Sequence, residues 1–135
     1  MRVIHTDDDT INTLDEAAMT FMALTVHRLN RALTESGVDD GAMRQEICAK
    51  FLFEFAYHHD AGWMVQGGQK FFPLVTFAKR QDPKDGENLG EIAEIHVPTP
   101  ATSWHEYAHG VVSRYFDDDA ESVDDLSFGS YSEES

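Results

Sequence analysis

Apolar residues recur three and four apart at Leu14, Ala18, Phe21, Met22, Leu29 and Leu33, with Thr25 and Ala32 on the same side. That is the period of one helix face. Thr13-Leu14-Asp15-Glu16 has the form of a capping box, in which a hydroxyl and a carboxylate answer free amides of the first turn, so the helix is expected to begin at Thr13. Ser36-Gly37 ends it, because glycine accepts the left-handed conformation that follows a helix. A second helix is expected after Asp39-Asp40, burying Ile47, Cys48, Phe51, Leu52 and Phe55 and running out at His58-His59-Asp60-Ala61-Gly62. His58 and His59 would then serve the free carbonyls of its last turn.

The period changes beyond Gly62. Trp63 to Gln66 and Gln69 to Ala78 read as strands joined at Gly67-Gly68, two residues able to take the positive φ angles of a tight hairpin. Pro73 lacks an amide donor and marks a bulge or an edge. Arg80 to Asn88 is polar and carries turn signals at Asp82-Pro83 and Asp85-Gly86. Leu89 to Val97 predicts a third strand, stopped by Pro98-Thr99-Pro100, and Ser103 to Phe116 a last helix with Trp104, Tyr107, Ala108, Val111, Val112 and Tyr115 inward. The expected fold is α+β: two N-terminal helices, a three-stranded antiparallel meander, a C-terminal helix and a disordered acidic tail. One domain, 13–116, lies between an N-terminal arm, 1–12, and the tail, 117–135, whose Asp, Glu and Ser content buries too little surface to offset ordering entropy.

Charge narrows the partners. The chain has 25 acidic and 10 basic side chains, a formal net charge of −15. Such a surface repels nucleic acid and anionic membrane, and favours a basic protein partner. No apolar run approaches the roughly 18 residues of a membrane span, and the N-terminal residues have no apolar core of a signal peptide. The single cysteine, Cys48, forms no internal disulfide and falls on a helical apolar stripe, which suits a cytoplasmic protein. Phe53 and Tyr57 lie off that stripe, free to pack under the sheet or to meet a partner, including a second copy in a homo-oligomer.

One stretch could carry chemistry. His105-Glu106-Tyr107-Ala108-His109 places two imidazoles four residues apart, on one face of a helix, where both could hold one Zn²⁺. Glu106 would stand beside a metal-bound water as general base. Over Thr102 to Val111 the chain resembles the zinc peptidases of the zincin class, and the resemblance implies His105 and His109 as ligands and Glu106 as catalytic base. The pattern stops there, since Val112 and Tyr115 occupy the glycine and third-histidine positions of its extended form. His96, at the end of the third strand, is the candidate third ligand. The same residues also read without metal: Ser103-Trp104-His105-Glu106 is itself a capping box heading an amphipathic helix. No phosphate-binding loop of either common type is present. The leading expectation is therefore a small acidic non-enzymatic binding or regulatory protein that needs no cofactor. The alternative is a zinc-dependent hydrolase.

Overall fold

The computed structural model of the chain describes residues 1–5, 11–97 and 103–117, with the side chains of 11–14 outside that description. The expected disordered tail falls almost wholly outside the described residues. Among the described residues three helices form the body: α1 (Ile11–Glu35), α2 (Gly41–Ala61) and α3 (Trp104–Asp117). Each contributes a stripe of fully or nearly buried residues spaced by about one turn. Ala18, Met22 and Val26 come from α1, Cys48, Leu52 and Ala56 from α2, and Trp104, Ala108, Val112 and Tyr115 from α3. Spacing by four keeps a stripe on one face over two turns, so the three faces close on one another. Burial raises the pKa of the Cys48 thiol, against a smaller opposing pull from Arg44.

The helix ends follow local chemistry. Asp40 caps α2, its carboxylate accepting from the amides of Ala42 at 2.9 Å and Met43 at 3.3 Å. Gly37, at φ 94°, ends α1 with the amide of Val38 returning to the carbonyl of Leu33 at 2.9 Å. The start of α1 differs from expectation. Thr13 lies within the helix, which begins at Ile11, so Thr13 is not the cap. Phe51 also departs from the expected stripe. It is exposed and stacks on Phe55, because the buried face of α2 turns through Ala56 instead.

The mixed α+β class holds, but the strands do not form one antiparallel meander. Among the described residues five short strands make two separate sheets: β1 (Arg2–His5), β5 (Ile92–Val97) and β4 (Phe77–Arg80) in the order β1-β5-β4, and a hairpin of β2 (Met64–Gln66) and β3 (Gln69–Phe71). β4 and β5 are antiparallel, with a register shift at Lys79/Arg80, while β1 runs parallel to β5. Arg2–His5, assigned to the arm by sequence, is thus a strand, and the Arg2 guanidinium bonds the Glu94 carboxylate opposite it. That guanidinium, foremost among several contacts, holds the Glu94 carboxyl below its usual pKa.

The strand expected from Gln69 to Ala78 breaks around Pro73. Phe71 ends β3 and Phe77 begins β4, because proline cannot donate to a ladder. The hairpin itself forms as expected, with Gly67 at φ 59° and Gly68 at φ 78° supplying its two-residue turn. β2 and β3 pack almost solely on each other, and all six strand residues are exposed. The larger sheet meets the body through Phe77, whose ring lies edge-on to Phe21 at 6.3 Å. Among the described residues no helix is long and apolar enough to cross a membrane.

Candidate functional site

Asp60 lies one residue before the end of α2, and its side chain is only 10% exposed. A carboxylate in the last turn of a helix opposes the helix dipole, so its position calls for other donors. They come from the first turn of α3 and from the neighbouring imidazole. Asp60 Oδ2 accepts from the His105 amide at 2.8 Å and from His105 Nδ1 at 2.6 Å, and the carboxylate also accepts from the Trp104 amide. Oδ1 lies 3.0 Å from His59 Nδ1. Asp60 therefore caps α3 from across the body, 45 residues away in sequence. Burial by itself raises the Asp60 pKa, but the bonds from His105, His59 and Trp104 together outweigh it, and the net shift is downward.

These bonds set the ring states around Asp60. His59 Nε2 accepts from the amide of Val75 at 3.0 Å, so its proton sits on Nδ1 and is donated to Asp60. The His59 ring, 7% exposed, stacks on the buried Trp104 indole with centroids 4.1 Å apart. It is a structural joint between α2, α3 and the segment before β4. The expected role of His59 at its own helix's carbonyls is replaced by this one. The His58 carbonyl near the end of α2 is met locally instead, accepting from the Gly62 amide at 2.9 Å.

The Ser103–Glu106 capping box is likewise replaced. Ser103 Oγ sits 3.2 Å from His105 Nδ1, Glu106 faces solvent, and the first amides of α3 go to Asp60. A charged carboxylate already placed at the helix start is a stronger acceptor than a neutral hydroxyl.

His105 and His109 do lie on one face of α3, and both address Phe53 of α2. His109 stacks on it with centroids 5.3 Å apart, and His105 meets it edge-on at 6.3 Å and Tyr57 at 6.0 Å. With Nδ1 given to Asp60, His105 keeps Nε2 free of that bond. Tyr107 ties α3 to α1, its hydroxyl donating to Asp15 Oδ2 at 3.0 Å; that bond, helped by burial, raises the phenol pKa. His96 is on β5, opposite Ile4 and Phe77, with Nε2 3.4 Å from Glu94 Oε1. Among the described residues no three His, Cys, Asp or Glu side chains converge as metal ligands would. Val112 and Tyr115 are core residues, and the Tyr115 hydroxyl meets His27 Nδ1 at 3.1 Å and Asn30 Nδ2 at 3.3 Å. Burial raises the Tyr115 pKa.

Sequence reasoning missed Asp60. The available signal was its sign, an acid in the last turn of a helix beside Gly62, where a base is favoured. No known protein family, curated protein or solved structure matches this chain.

Asp60→Asn should cost about 1.5–3 kcal/mol, the range for hydrogen bonds to a charged group, because its amide group opposes a donor. Ser103→Ala should stay within about 0.5 kcal/mol. Because the folded Asp60 pKa lies below its ordinary 3.8, its contribution is present above that value and is lost as pH falls through the folded pKa. Thermal melts across acid pH should therefore show wild type losing stability more steeply than Asp60→Asn. Parallel losses in the two proteins would contradict the bonding described.

Proposed function

We propose that this is a small acidic non-enzymatic binding protein acting on a basic protein partner. The observation that carries the reading is where the charge lies. Ten of the 25 acidic side chains fall in segments 6–10 and 118–135, which contain no basic residue, while the rest of the chain holds all 10 basic residues and nets −5. Dense like charge in short segments raises the local potential, steers a basic partner and speeds encounter. Free DNA and RNA are repelled by the same charge. The surroundings of His105 and His109 favour binding over metal catalysis, because among the described residues no third His, Cys, Asp or Glu joins them as a ligand.

Immobilised full-length protein and a chain ending at Asp117 test the reading against a lysate at low and physiological salt. The full-length chain should retain a basic protein best at about 0.01 M, where the Debye length is about 30 Å, and clearly less at about 0.15 M, where it is about 8 Å. The shortened chain should lose it. A partner held equally by both chains at both salts would overturn the reading, since neither the acidic segment 118–135 nor charge would then matter to binding.

A zinc-dependent hydrolase is the second reading, favoured by one observation. The bond from Asp60 to His105 Nδ1 resembles the outer carboxylate contact that orients metal-ligating histidines and leaves Nε2 forward. His105 and His109 would then be ligands and Glu106 the base. Elemental analysis after dialysis separates the readings. Binding without catalysis expects less than stoichiometric zinc. One equivalent that disappears in His105→Ala would reverse the ranking.

A further inference from the structure

We infer that the β2–β3 hairpin is the docking surface for a second copy of this chain, through antiparallel pairing of β2 with β2 of the copy about Val65. The inference does not depend on a basic partner. Trp63, Met64, Val65, Phe71, Phe72 and Leu74 are between 48% and 67% exposed, on a hairpin that packs almost solely on itself. A two-stranded hairpin alone is at best marginal in water, and added strands or packing supply what it lacks.

Charge selects the occupant. Residues 61–81 contain no acidic side chain, in a chain with 25, and carry Lys70, Lys79 and Arg80. A basic partner has nothing to pair with here. Two chains of net charge −15 repel over most of their surfaces, and the acid-free stretch 61–81 offers a face on which they can meet without its own carboxylates opposing each other. Lys70 is already drawn over the Trp63 ring, its Nζ 4.6 Å from the centroid.

The register makes one edge self-complementary. Gln66 pairs with Gln69 across the two-residue turn, so Val65 and Lys70 form the next, non-hydrogen-bonded pair. The amide and carbonyl of Val65 therefore point outward along the free edge of β2. A two-fold axis beside Val65 lets the two valines exchange both hydrogen bonds and sets Met64 opposite Gln66 of the copy. The corresponding axis on β3 would place Lys70 opposite Lys70, a repelling pair. The choice of β2 follows from that contrast.

The area fits a weak, concentration-dependent dimer: Trp63, Met64 and Val65 along the paired edge, each about half exposed, offer on the order of 100 Å² apiece, or about 300 Å² per chain and about 600 Å² in all. Apolar contact between like-charged chains should tighten with salt.

Analytical ultracentrifugation of the full chain at about 100 μM, at low and high salt, reads the result directly. Wild type should sediment at twice the 15.2 kDa chain mass, with a larger dimer fraction at high salt. Val65→Pro removes the outward amide and Val65→Lys sets two ammonium groups face to face. Both should sediment as monomers while their helical circular dichroism, and their melting temperature at dilutions where wild type is also monomeric, stay at wild-type values, since the hairpin lies outside the core. A wild type that is monomeric at both salts overturns the inference. So does a dimer that persists in both variants, or one that dissociates as salt rises.

Discussion

A carboxylate largely withdrawn from water must be met by donors, and at Asp60 three of the four come from a different helix. The backbone of α3 cannot satisfy its own first amides, and α2 places an acid at its C-terminal end, where its own dipole disfavours one. Each helix supplies what the other lacks. The junction fixes the angle at which α3 enters the body and brings the Trp104 indole under the His59 ring. It also orders the approach to β4, because His59 Nε2 takes the amide of Val75 on the segment that leads to Phe77. The hydrophobic stripes supply most of the driving force, and the Asp60 carboxylate ties the end of α2 to the start of α3.

Outside this junction the molecule divides by charge and polarity. The acidic excess is concentrated in 6–10 and 118–135, and the exposed apolar residues are concentrated on an acid-free hairpin. Under the two proposals the acidic segments would attract at long range and weaken with salt, whereas the hairpin would bind at short range and tighten with it.

The sequence carried the helices well because their information is local. Spacing by three and four marked the faces of α1, α2 and α3, and Asp40 and Gly37 announced their ends through bonds spanning a few residues. The Gly67-Gly68 turn was legible for the same reason. β1 was not, since Arg2–His5 has no alternation and its partner strand lies some 90 residues away, beyond all of α1 and α2. The break at Pro73 was visible as a defect, but the separation of β3 from β4 depends on Phe77 finding Phe21. At the candidate site, the spacing of His105 and His109 was plain and their surroundings were not. Phe53, Asp60 and His59 meet α3 only after folding, so a local capping box at Ser103 seemed sufficient.

The account depends most on the Asp60 carboxylate bonding the start of α3. Nuclear magnetic resonance can follow the Asp60 side-chain carboxyl carbon and the His105 backbone amide through the same acid titration. The account predicts one shared midpoint, below the ordinary value of 3.8, with the amide proton moving upfield as its acceptor is protonated. A His105 amide that ignores the Asp60 titration, or an Asp60 midpoint at or above the ordinary value, would contradict it.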